Sequence, residues 1–232
     1  MRTFTLAQIM QNSRERADKV GSGFIKNTEL VGYINESYSA LYDLLVAAYD
    51  NDYYMKATPY QLTTIGQQQM YDLPGDFYKL RGIDLTIGSS EKLTLRQFQW
   101  NERNKYQQGT YWSALVGNFG PRYKLIENKI AFYPAPDAGY NLDIWYIPHC
   151  PILNNDTDAV NGVNGWEEFI IIDAAIKMLA KEESDTSELT REKLLIMTRI
   201  KEMSENRDAG ESFRVSDVRS NWNDFYDDVY RY

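Results

Sequence analysis

At 232 residues, 43% hydrophobic and 25% charged, the chain can bury a substantial core and has the composition of a globular protein. Its formal net charge of −8 disfavours tight binding to a phosphate backbone. A single cysteine and a single histidine exclude an intramolecular disulfide, a cysteine metal cluster and a multi-histidine zinc site.

The opening stretch "MRTFTLAQIMQNSRERADK" has spaced apolar residues followed by charges, which is the wrong pattern for a signal peptide. With no long apolar run, a soluble protein made in a reducing cytoplasm and not bound to a membrane is expected. Thr5 and Gln8 have capping-box spacing ahead of Leu6, Ile9, Met10, Ala17 and Val20. That predicts a first helix stopped by Gly21 and Gly23. Asn27 or Thr28 is placed to cap a second helix, with Glu29 in its first turn. Leu30, Ile34, Tyr38, Leu41, Leu45 and Ala48 recur along it at three- and four-residue steps.

From Tyr53 to about Leu153 the period falls to two. "YQLTTIGQQQMYDLP" predicts two short strands around a Gly-Gln turn. In "LRGIDLTI", Arg81, Ile83, Leu85 and Ile87 alternate with Gly82, Asp84 and Thr86. "YKLIENKIAFYP" predicts a hairpin turning at Glu127-Asn128, "YNLDIWYIP" another strand, and "RQFQWNERNKYQ" a short helix within the block. Helical period returns at "GWEEFIIIDAAIKMLAKEESD", where apolar residues cover nearly the whole circumference, so this helix is expected to be buried on several sides. A last helix is expected from about Thr186 to Asn206, carrying Leu189, Ile196, Ile200 and Met203.

The fold class expected is α+β: an antiparallel bundle of about four helices, an inserted antiparallel β-rich module and an extended C-terminal tail. Residues 1–52 and 156–206 are read as the two halves of the bundle, 53–155 as the insertion, and 207–232 as a linker and docking tail.

Chemistry-bearing motifs are few. His149 and Cys150 are adjacent on a strand or turn, where neighbours point to opposite faces, so a nucleophile–base dyad is not expected. "DTDAVNGVNGWE" puts Asp156, Asp158 and Glu167 at positions one, three and twelve of a calcium loop. Val160 and Asn161, however, stand where an oxygen ligand and a turn glycine belong. A polar loop leading into a helix accounts for the same letters. "GNFG" at 117–120 lacks the lysine and helix of a phosphate loop and reads as a turn. Asp43 and Asp173 lie in apolar-rich helices and leave open a carboxylate-dependent glycan hydrolase, although contact with water or a neighbouring subunit is the commoner fate of such groups. No catalytic, cofactor or metal residue is assigned.

The tail "RSNWNDFYDDVYRY" is different. Trp222, Phe225, Val229 and Tyr232 fall at helical spacing, and Tyr226 and Tyr230 add to a ring-rich segment that equally suits a strand added to a sheet edge. Too short to be a stable helix alone, it is expected to order by docking.

"YINESYSALYDLL", "YDLPGDFYKL" and "WEEFIIIDAA", taken in that order over most of residues 3–206, resemble the head-to-tail adaptors of tailed bacteriophages. The resemblance implies a virion protein at the head–tail junction, forming a ring that is commonly of twelve copies. It implies a portal protein above, tail or nozzle proteins below, and a channel that passes DNA without sequence-specific binding. Another neck, tail or receptor-binding component is the second reading.

Overall fold

Helix α1 (Leu6–Arg16) begins at its capping box: Gln8 N donates to Thr5 Oγ1 at 3.3 Å and Thr5 N donates to Gln8 Oε1 at 3.0 Å. The computed structural model describes residues 3–21, 23–48, 53–87, 91–106, 112, 120–163 and 165–205. The chain leaves α1 at Ala17, which is buried, so Val20 lies beyond the helix and is exposed rather than on its stripe. Helix α2 (Asn27–Ala48) buries Leu30, Ile34, Tyr38, Leu41 and Leu45. Asn27 does not cap it from outside but is its first residue, and the Asn27 side chain accepts from Arg14 at 3.0 Å.

Helix α3 (Glu168–Lys181) packs against α1, α2 and α4 (Ser187–Glu205). Phe169, Ile170, Ile172, Ala174, Ala175 and Met178 are all buried, as the all-round apolar pattern requires. One cluster joins α1, α2 and α3 to Ile200 of α4 and to Leu153, Val160 and Trp166 from the segment before α3. Met203, placed on the α4 stripe by its spacing, is 59% exposed at the helix end.

The β-rich region makes two four-stranded sheets. One has the order β2 (Tyr60–Thr63), β9 (Asn141–Pro148), β4 (Phe77–Ile87), β5 (Glu91–Thr94) and is antiparallel throughout. The other has the order β3 (Met70–Asp72), β8 (Lys129–Tyr133), β7 (Arg122–Ile126), β6 (Arg96–Gln97), with only the short β6–β7 pair parallel. The two strands flanking the Gly66-Gln67 turn therefore do not pair with each other; each joins a different sheet. The β7–β8 hairpin turns at Glu127-Asn128 as its sequence predicts, with Glu127 in the left-handed region at φ 53°. A 3-10 helix (Trp100–Lys105) follows β6.

Leu62, Ile83, Leu85, Leu93, Leu142 and Ile144 of the first sheet meet Tyr71, Tyr123, Leu125, Ile130 and Phe132 of the second, and Trp112 fills their shared core. Its indole Nε1 donates to Pro134 O at 3.1 Å, which satisfies the one polar atom of a fully buried ring. The observed class is α+β, with helices around one core and a sheet-on-sheet core beside it.

A two-stranded ladder of β1 (Phe4–Thr5) and β10 (Ala159–Val160) ties the start of α1 to the loop before α3. Gly162 in that loop is obligatory, because a Cβ there would stand 2.7 Å from the backbone N of Glu167. Among the described residues, no helix is long and apolar enough to cross a membrane.

Candidate functional site

The helical layer meets the sandwich through tyrosines. Tyr42 on α2 stacks on Tyr54 with ring centroids 4.1 Å apart and donates its hydroxyl to Pro148 O at the end of β9, 2.6 Å away. Tyr54 donates to Asn161 O at 3.2 Å, and Tyr53 to Asn161 Oδ1 at 3.0 Å. Tyr78 on β4 donates to Asp43 Oδ1 at 2.7 Å, so this carboxylate belongs to the junction. Burial pushes the Tyr42 and Tyr54 hydroxyls well above the ordinary phenol value, which keeps them protonated donors. Beside them Lys56 donates to Asp76 at 2.6 Å and to the Tyr146 hydroxyl at 2.8 Å, and that hydroxyl donates to the other Asp76 oxygen at 2.8 Å. The Lys56 ammonium holds the Asp76 carboxyl below its usual range.

Asp173 is caged separately inside the helical layer. Ser37 Oγ donates to it at 2.6 Å, Lys193 Nζ lies 2.6 Å away and Lys177 Nζ 3.2 Å away. Burial pushes its carboxyl up, but Lys193, Ser37 and Lys177 more than offset that and hold it below the ordinary value. Asp43 and Asp173 thus take different partners in different places.

His149 Nδ1 contacts Cys150 O at 3.0 Å, while Cys150 Sγ faces Pro151 O at 3.7 Å, so ring and thiol do not address each other. Burial, with Asp43 adding a smaller push, raises the Cys150 thiol to about 12, far from a thiolate at neutral pH. In the calcium-like loop, Asp158 accepts from Asn154 N and Asn155 N, both at 2.8 Å, and the carbonyls of Asp158 and Asp156 receive the first free N–H groups of α1 at 2.8 and 3.2 Å. Those letters close a turn and seat a helix. Among the described residues, no group of three His, Cys, Asp or Glu side chains is placed to hold a metal. Trp222, Phe225, Tyr226, Val229, Tyr230 and Tyr232, with most of "GNFG", lie outside the described residues.

The outward faces of the two sheets differ. On the β2–β9–β4–β5 sheet, Lys92 pairs with Asp143 at 2.7 Å, and Asp84 receives Thr94 Oγ1 at 2.7 Å and Trp145 Nε1 at 2.9 Å. On the other sheet the register sets Arg96 beside Arg122, with Lys124 two residues along, and Lys129 pairs with Asp72 across the β3–β8 ladder at 2.7 Å. Arg122 lies 5.6 Å from the Tyr106 ring centre and Arg103 5.3 Å from that of Trp100. Hydrophobic periodicity alone did not find this basic, aromatic face. Charges counted by region do mark it: residues 53–155 hold ten Lys and Arg against eight Asp and Glu, whereas 1–52 with 156–206 hold 11 against 19.

Among the described residues, Asp43, Asp76, Asp173 and Cys150 are thus engaged in structural contacts. A family model described as SU10 adaptor protein matches residues 4–230. The chain belongs to that family, a family of phage head-to-tail adaptors, and is a structural phage protein. No curated protein matches it.

Proposed function

We propose that this chain is the ring-forming subunit of a head-to-tail junction. Twelve copies surround an axis under the portal protein, with tail or nozzle proteins below, and DNA leaves the capsid through the central channel. The observation that carries this reading is the family match over nearly the whole chain. In this reading residues 1–52 and 156–206 form an antiparallel four-helix bundle, 53–155 the inserted β domain, and 207–232 the linker and docking tail. Different patches on one chain, repeated around an axis, close a ring. A net charge of −8 suits a conduit that repels phosphates instead of gripping them.

Trp222, Phe225, Tyr226, Val229, Tyr230 and Tyr232 anchor the tail on the portal or on a neighbouring subunit. Burying a few such rings contributes several kcal/mol at about 25 cal/mol per Å² of apolar area, before ordering costs. Electron microscopy of the purified protein with and without its portal is the direct test, and a cyclic complex on the portal is the expected image. Persistent monomers on portal-bearing capsids would sink the proposal. Deleting residues 219–232 should leave the melting temperature nearly unchanged and abolish attachment, with Trp222→Ala and Phe225→Ala reproducing much of the loss. Wild-type attachment by the deletion variant would remove the tail from the interface.

A further inference from the structure

Resting on the reading of the tail as an interchain anchor, we propose that residues 219–232 of one copy dock as a helix along the outward face of α4 of the next copy. The run "KLLIM" at 193–197 puts apolar side chains at consecutive positions from Leu194 to Met197, more than one helix face can bury. Ile196 and Met197 join the helical core with Leu189 and Ile200, whereas Leu194 and Leu195 are left 58% and 66% exposed. Arg191, Leu194, Leu195, Thr198 and Arg199 fall at the spacing of a second amphipathic stripe, and Met203, 59% exposed, continues it one turn beyond Arg199. All of them are exposed, and among the described residues Arg191 and Arg199 have no hydrogen-bond or ion-pair partner.

The tail fits this seat in reach, length and chemistry. Helix α4 ends at Glu205, and residues 206–218, 13 in all, separate it from the tail. Extended, they span up to about 43 Å at about 3.3 Å per residue, enough to cross a body of this size, whose radius of gyration is about 17 Å. A hairpin back onto the same helix would need a loop of only about 2–5 residues. Trp222, Phe225, Val229 and Tyr232 make a helical stripe about 15 Å long, against about 14 Å from Leu194 to Met203. As a strand the same residues would run about 33 Å, longer than the whole of α4 at roughly 28 Å. Helix on helix is therefore the geometry that fits, and docking orders a segment too short to be helical alone. In helical register Asp224 and Asp228 flank the ring stripe and offer carboxylates to Arg191 and Arg199. Glu202 shares the α4 face and the tail also carries Arg219 and Arg231, so the apolar stripe supplies affinity and charge sets register. Seat and anchor are different parts of one chain, so each copy both gives and receives a tail.

Mixing variants tests the contact. Wild-type protein, L194E/L195E, M203E, the chain lacking residues 219–232, and an equimolar mixture of that chain with L194E/L195E are compared by sedimentation and for ring formation on portal. The substituted side chains are exposed, so their melting temperatures should match wild type. L194E/L195E and the tail-deleted chain should each assemble at least about tenfold more weakly than wild type, and M203E several-fold more weakly. The mixture should stop at a one-to-one dimer, because one member offers only a seat and the other only a tail. Wild-type assembly by L194E/L195E would overturn the seat on α4 and leave the ring reading intact; failure of the tail-deleted chain alongside it would assign the tail to portal. Lowered melting temperatures in both variants, with a mixture that stays monomeric, would overturn the interchain contact and place the tail on its own α4. Absence of any ring from wild-type protein on portal, with the one-to-one dimer still formed, would remove the ring reading and keep this contact.

Discussion

In the helical layer one element carries several interfaces at once: α3 buries residues around most of its circumference against α1, α2 and α4. In the sandwich the strands commit alternate residues to the shared core, while on the other side Ala131 and Tyr133 of β8 are buried with Phe98, and Ile147 of β9 packs on Tyr42 and Val46. The first arrangement leaves α3 little surface to vary. The second leaves half-buried and exposed polar positions such as Arg96, Arg122 and Lys124 between two buried clusters, so these can vary without touching the shared core. Burial and surface chemistry are coupled in one region and separable in the other.

Core truncations probe that difference most strongly. Phe132→Ala, at the centre of the sandwich, should cost about 3–5 kcal/mol, and Ile170→Ala on α3 about 2–5 kcal/mol, by urea unfolding. A cost below about 1 kcal/mol for Ile170→Ala would contradict the central role of α3.

Asp173→Asn should cost about 3 kcal/mol at neutral pH, since it leaves Lys193 against a neutral group and Lys177 with Glu36 as its remaining carboxylate. The carboxyl's pKa is lowered in the fold, so its contribution is present above the unfolded carboxylate value and is lost as pH falls through the folded one. The stability gap between Asp173→Asn and wild type should therefore close in acid. A gap constant down to about pH 2, below the ordinary carboxylate range, would show that packing rather than charge is responsible.

Tyr42→Phe removes the hydroxyl that ties α2 to β9 at 2.6 Å and should cost about 1 kcal/mol. Amide exchange at the end of β9 should rise with it, and exchange unchanged there would place the tie elsewhere. His149→Ala and Cys150→Ser should stay close to wild type in assembly and infectivity, because the polar contacts of ring and thiol are to neighbouring carbonyls and Ser nearly matches the size of the packed Cys150 side chain. Loss of function in a folded variant of either would reopen a chemical role for the pair.

What the sequence determined by itself is what short-range physics controls. The capping box at Thr5 and Gln8, the α2 stripe, the β7–β8 turn at Glu127-Asn128 and the nearly all-round burial of α3 all depend on residues a few positions apart. Each could be read from period, cap and turn chemistry. The family resemblance was legible for a similar reason, through the order and spacing of those same elements.

Tertiary structure decided the rest. β2 and β3 are neighbours in the chain but join different sheets, because β9 and β8 supply their free edges. Trp112 becomes part of a shared core, Asp173 acquires Lys193 from α4, and Arg96 comes to lie beside Arg122. None of these follows from local spacing. Which strand edges meet, and which charges then face each other, is settled only when long loops close and distant segments exclude water together.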